Sequence, residues 1–252
     1  MANNSSLSRR AALRQQQEQE ERAAKNRRIL GFGLGAVALA VVVILVVVVA
    51  QTIGKRQQAA SEQLTPPNAT SDYGILADAK KPVDGTPHVV IYQDFQCPAC
   101  ASYEQSFGPI ISSLVDKGDI TAEFRTAHFM DNNIGNDSSV RAALAAAAAD
   151  EVGHYDAYHK AIFDAFAGNG YTEQQLRVEF PETAGITGED LTRFQLLYDG
   201  KAFQDFVDGV ANSMQADGVT GTPTYLVDGT KVEFTDTTEE SVLTVITEAY
   251  QG

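Results

Sequence analysis

The only two cysteines of this 252-residue chain stand three apart, in Cys97-Pro98-Ala99-Cys100. The run closely follows His88-Val89-Val90-Ile91-Tyr92, a β-favouring stretch bounded by Gly85 and Pro87 that reads as a buried strand. It opens an amphipathic stretch with Tyr103, Phe107, Ile110, Ile111 and Leu114 at helical spacing, ended by Gly118-Asp119. Ile120, Ala122, Phe124 and Thr126 then alternate with Thr121, Glu123 and Arg125, the period of a second strand. Strand, helix and strand in this order favour a parallel βαβ unit with a right-handed crossover. The cysteines are thereby committed to the turn from a strand into a helix.

That position dictates chemistry. Residues i and i+3 share one helix face with Cβ atoms about 5–6 Å apart, a separation that disulfide geometry accommodates with little backbone movement. Pro98 fits the first helical position, where its missing N–H costs nothing. Cys97 then caps the helix, and the unpaired N–H groups and positive dipole end favour its thiolate. Cys97 is expected to be the exposed nucleophile with a lowered pKa, and Cys100, one turn in, the buried resolving thiol. A zinc site needs about four ligands, and the chain has no second cysteine pair; His154 and His159 are five apart, and His88 and His128 stand alone. No metal or cofactor is expected. A static disulfide closing so short a loop is a poor staple, and inert thiols are the remaining bland reading.

Charge and hydropathy divide the chain. Residues 1–28 hold seven Lys/Arg against three Glu; residues 54–252 hold twelve Lys/Arg against thirty Asp/Glu. So acidic a main domain argues against a nucleic-acid partner, which needs a basic face. Between them, Ile29 to Ala50 carries no polar side chain over 22 residues, about 33 Å of helix against a hydrocarbon core of roughly 30 Å. The basic flank puts residues 1–28 in the cytoplasm and the rest outside. A transmembrane signal anchor over 29–53 is the reading taken. A cleaved signal peptide is the alternative, but its apolar region is shorter, about 7–15 residues, and Ala50-Gln51-Thr52 is a poor cleavage site. Residues 54–74, rich in Gln, Ser, Thr, Pro and Asn, read as a linker, and the Asn68-Ala69-Thr70 triplet as part of it.

The folded domain is expected over 75–252, with a helical block at about 130–217. Ser139 to Asp150 is Ala-rich, Thr172 and Gln175 fit a capping box, and Thr187 or a neighbour caps a further helix. Phe203, Phe206, Val207, Val210 and Met214 mark the apolar face of another. Thr224–Val227 and Lys231–Phe234 flank the hairpin signal Asp228-Gly229. Thr237 to Glu240 reads as a capping box for a terminal helix with Val242, Leu243, Val245, Ile246 and Ala249 inward.

Two segments resemble one family. Tyr92 through Cys100 is similar to the active-site segment of DsbA-like thiol–disulfide oxidoreductases. Gly218-Val219-Thr220-Gly221-Thr222-Pro223-Thr224 is similar to that family's cis-proline segment, and Arg141–Ala149 with Gly153–His159 to its inserted helical domain. The resemblance implies an α/β thioredoxin-like fold with an inserted α-helical domain, here preceded by one transmembrane helix. Sequence alone leaves Thr222-Pro223 open between a trans turn proline and a cis bond; the resemblance implies cis. It also implies that this bond faces the cysteines and leaves the Thr222 backbone to pair with an extended substrate. Ala99 stands where a histidine would stabilise the thiolate, and Ile91 where some members carry an acid. Asp94 and the acidic domain oppose the thiolate, so a less than extreme oxidant is expected.

The function expected is disulfide formation in exported thiol-containing proteins through a mixed disulfide on Cys97. The domain would lie outside the cell membrane, and a membrane redox partner would reset the pair. The alternatives are a membrane-anchored reductase or isomerase, and a non-catalytic thioredoxin-fold binding module.

Overall fold

This computed structural model describes residues 40–55, 57–58 and 62–251. The chain divides into two units, residues 1–54 and 55–252. In the first, residues 40–54 are helical (α1), with valines and isoleucines exposed. Residues 29–39 of the expected anchor lie outside the described residues. Among those described, no helix is long and apolar enough to cross a membrane.

The second unit is built on one five-stranded sheet. Its strands are β1 (Ile75–Leu76), β2 (His88–Gln93), β3 (Thr121–Thr126), β4 (Thr224–Val227) and β5 (Thr230–Val232), in the order β1-β3-β2-β4-β5. Strands β2 and β3 pair in parallel, from His88 opposite Thr121 to Gln93 opposite Thr126. Helix α2 (Pro98–Lys117) makes the connection between them. The other pairings are antiparallel. From β3 to β4 the chain is helical: α3 (Met130–Ile134), α4 (Ser138–Glu151), α5 (Tyr155–Asp164), a π-helical stretch Gln175–Glu179, α6 (Phe180–Thr183), α7 (Gly188–Asp199) and α8 (Gln204–Ala216). The terminal helix α9 is Glu239–Ala249. Helix α4 holds this block together. Ala142 to Ala149 are all buried, and such small side chains let α5, α7 and α8 pack against one helix at once.

Several expectations change in detail. Strand β3 forms as expected, and all six of its residues are buried, the charged ones included. Arg125 and Glu123 are tolerated inside because they pair, Nε to Oε1 at 2.5 Å. The segment expected as a linker is docked from residue 62 onward. The Leu64 N–H bonds to the Ala202 carbonyl at 2.7 Å. Asn68 donates to both carboxylate oxygens of Asp150, through its backbone N and Nδ2, each at 2.9 Å. The Ser213 hydroxyl bonds to the Asp72 carbonyl at 2.6 Å. A strap held by polar bonds has no apolar pattern to read. The capping box at Thr172 forms, with the Gln175 carbonyl accepting from Thr172 N at 2.9 Å and the Thr172 hydroxyl accepting from Gln175 N at 3.2 Å. Thr187 occupies its cap position without a side-chain bond. At α9 the cap is Thr238, accepting from Ser241 N at 3.4 Å. Glu239 is drawn instead to Lys117 and Ser113 on α2. Strand β5 stops at Val232, and Phe234 turns in against Phe107 and Tyr225.

Candidate active site

The segment entering the motif is fixed by buried polar bonds. The Asp94 carboxylate, fully buried, accepts from Gln96 N at 2.9 Å, Met130 N at 3.1 Å and the Ser139 hydroxyl at 2.6 Å. Gln96 donates to Asp131 at 2.7 Å, to Asn136 at 2.9 Å and to Ser139 at 2.8 Å. Asp131 in turn accepts from Ser139 N and Val140 N, capping α4 from outside its own chain end. The turn from strand to helix is therefore anchored to the helical block on both sides of Phe95. Burial is the main reason the Asp94 carboxyl is pushed up to about 6, against the three hydrogen bonds.

Cys97 is the N-cap of α2 and Pro98 its first residue, as the sequence predicts. Both thiols are free. Cys97 N–H closes a turn to the Asp94 carbonyl at 2.9 Å. The Cys97 sulfur accepts from Cys100 N at 3.4 Å. On its other side the sulfur lies 3.4 Å from the Thr222 carbonyl, to which the thiol donates. The Thr222-Pro223 bond is cis. Proximity of the cis-proline segment explains a difference from expectation: Cys97 is only 6% exposed, against 3% for Cys100. What lies open at the surface are Pro98 and Ala99.

The two thiols separate electrostatically. The hydrogen bond from the Cys100 thiol is the largest influence holding Cys97 down, to about 5. Burial opposes it, and Thr222 with the N–H groups of Cys100 and Ala99 adds to the lowering. Burial first, then the hydrogen bond to Cys97 and after it the charge there, push Cys100 far above the usual thiol range. Among the described residues the buried Thr222 hydroxyl has no hydrogen-bond partner. The Asp94 carboxylate is taken up by the hydrogen bonds from Gln96 N, Met130 N and the Ser139 hydroxyl.

The histidines lie elsewhere. His159 is packed among Phe95, Phe124 and Phe163, bonded to Gln93 at 2.9 Å, and burial lowers its pKa to about 3. His154 bonds to the Ala184 carbonyl, His88 to Thr121 and His128 lies beside Asp208. Among the described residues no group of acids, histidines and cysteines is placed to hold a metal.

A sequence model of the thioredoxin family matches residues 83–247, more than half of the chain. The chain belongs to the thioredoxin family, on its DsbA-like side. Among solved structures, the disulfide bond oxidoreductase DsbG of Mycobacterium tuberculosis is 26% identical with a TM-score of 0.56, covering 77% of this chain and 91% of its own. DsbA of the same organism is 26% identical with a TM-score of 0.54, over 72% and 90%. MdbA of Actinomyces oris, a thiol-disulfide oxidoreductase, shares the fold at 18% identity and a TM-score of 0.61, over 75% and 98%. No curated protein matches the sequence. This DsbA-like chain is a thiol–disulfide oxidoreductase.

Sequence reasoning missed the residues that set the DsbA-like motif in place. Gln96, Asp131 and Ser139 stand 35 and 43 residues apart from the first to the others. The only local signal was the run of Asp and Asn from Asp131 to Asp137 before a helix start, which is typical of caps. The unpartnered hydroxyl of Thr222 has no signal in the sequence either, since its burial depends on the fold around the cis-proline.

Proposed function

We propose that this chain forms disulfides in exported thiol-containing proteins, with Cys97 as the attacked sulfur. The observation that carries the proposal is the placing of the Cys97 sulfur at the start of α2, accepting from Cys100 N and lying against the Thr222 carbonyl at the cis Thr222-Pro223 bond, with the Cys100 thiol buried one turn in. In the oxidised enzyme a substrate thiolate attacks the Cys97 sulfur, which lies nearer the surface. The Cys97–Cys100 bond breaks, and Cys100 leaves with the electron pair and takes up a proton, the form that its burial favours. A second substrate thiolate then attacks the substrate sulfur of the mixed disulfide. Cys97 leaves as a thiolate stabilised by the helix start, the better leaving group of the two. The substrate has lost two electrons and the cysteine pair has gained them.

While joined to substrate, Cys97 has no proton to donate, so the Thr222 carbonyl becomes free to accept from an extended substrate backbone. A membrane redox partner accepts the two electrons and restores the disulfide. The apolar run from Ile29, read as an anchor, would hold the domain outside the cell membrane near that partner. Thiol trapping in intact cells tests the direction of flow. The pair is expected to be mostly oxidised; a mostly reduced pair would assign the chain to reduction or isomerisation instead.

A further inference from the structure

A cleft of about 1240 Å³ runs along α2 from Pro98 to Lys117, with α5 as its opposite wall. On α2 its lining recurs at Pro98, Ala101, Gln105, Gly108, Ser112 and Asp116, the three-to-four spacing of one helix face. Helix α2 is 20 residues long, about 30 Å, which an extended peptide of about nine residues spans. Its near end touches the residue next to Cys97.

The walls are acidic in a particular way. Both lysines of the lining are already engaged, Lys117 with Glu239 and Lys160 with Asp164. Asp78 is paired with Lys80. That leaves Glu104 on α2 and Asp156 on α5, facing the same cleft. Among the described residues, neither forms an ion pair with a lysine or arginine: His159, 3.9 Å from Glu104, is kept neutral by burial, Lys160 acts on Glu104 only through its charge, and Asp156 accepts from Asp78 N at 3.0 Å. Burial is the leading cause that raises Glu104 to about 7 and Asp156 to about 6, with nearby Asp164 and Asp78 adding to it. A cationic side chain laid in the cleft would relieve both. The Glu104 carboxyl lies over Gly108, where it would have to shift to make room for a Cβ.

We propose that the cleft between α2 and α5 binds an extended, lysine- or arginine-bearing segment of the protein substrate and thereby presents a neighbouring cysteine to Cys97. The identity of the segment as substrate rests on the disulfide-forming reading; its binding does not.

The test is fluorescence anisotropy on the full-length chain, with a labelled ten-residue peptide of alternating lysine and alanine and its glutamate–alanine counterpart. Because neither peptide carries sulfur, the outcome is independent of whether Cys97 and Cys100 exchange disulfides. The lysine peptide is expected to bind at least tenfold more tightly than the glutamate peptide. Glu104→Gln combined with Asp156→Asn should remove most of that preference. Gln105→Trp, a substitution at an exposed position that obstructs the cleft, should weaken the lysine peptide at least tenfold with folding intact by circular dichroism. Equal binding of the two peptides, or a Gln105→Trp variant that binds as the unmodified chain does, overturns the proposal. So does a dimer in sedimentation that Gln105→Trp dissociates, which would give the cleft to a second copy of the chain.

Discussion

Replacing Cys97 by alanine is expected to abolish oxidation of a reduced test protein, whereas Cys100→Ala should leave a chain that becomes trapped covalently on its partner. The asymmetry follows from the site. Only Cys97 sits at the N-cap with its sulfur between Cys100 N and the Thr222 carbonyl, each at 3.4 Å. Only Cys97 has its thiol pulled down, to about 5. With Cys100 removed, the Cys97 thiolate can still attack a disulfide of a partner protein and expel one partner thiolate; the mixed disulfide so formed lacks the neighbouring Cys100 thiol that would reverse it from within, and should appear as a slower band on a non-reducing gel.

The pH dependence has a definite sign. The folded pKa of Cys97 lies below its unfolded value, so its thiolate stabilises the reduced fold above that unfolded value and progressively less as pH falls through about 5. Cys100 acts oppositely: kept neutral by burial, it costs the reduced fold stability once pH exceeds the ordinary thiol value of about 8.5. Alkylation of Cys97 should accordingly stay fast at pH 6 and collapse near pH 5. A Cys97→Ala chain that oxidises as quickly as the unmodified one would refute the assignment.

Arg125→Met should destabilise the domain by about 3–5 kcal/mol, because removing one partner strands a buried charge. Glu123 is 2% exposed and Arg125 7%. Beyond its bond to Glu123, Arg125 Nη1 donates to the Tyr92 hydroxyl at 2.7 Å and to Asp217 at 2.8 Å. Tyr92 itself donates to Asp217 at 2.8 Å. Burial is the chief reason its phenol is pushed up to about 12. One guanidinium therefore joins two central strands to the end of α8, five residues before Thr222. Converting both members, Glu123→Leu with Arg125→Met, should recover much of the loss, since a whole buried pair exchanged for apolar side chains is often neutral. Urea denaturation midpoints of the single and double variants measure this. A single variant within about 1 kcal/mol of the unmodified chain would mean that the network contributes little.

How far the sequence carried depended on whether a signal was local. The strand before Cys97, the proline at the first helical position and the cap at Cys97 depend on adjacent residues, and all three appear as read. The hairpin signal at Asp228-Gly229 and the capping box at Thr172 are equally local. Long-range polar contacts were invisible. Nothing near Gln96 announces Asp131 or Ser139, and nothing in the polar run before Tyr73 announces Asp150. Strand β3 appears where its alternation places it, but nothing local announces that Glu123 and Arg125 are buried and paired with each other. Cys97 was expected to be more open than it is, since its cover comes from Thr222, 125 residues away.

The most direct test of the account is the reduction potential of the Cys97–Cys100 couple, measured at pH 7 by equilibration with glutathione. A thiolate stabilised in the reduced form makes the disulfide a better oxidant. A potential clearly above the thioredoxin value of about −270 mV is expected, toward or beyond that of protein disulfide isomerase at about −180 mV. A value at or below about −270 mV would contradict it, because a pair that holds its disulfide so tightly does not give it away.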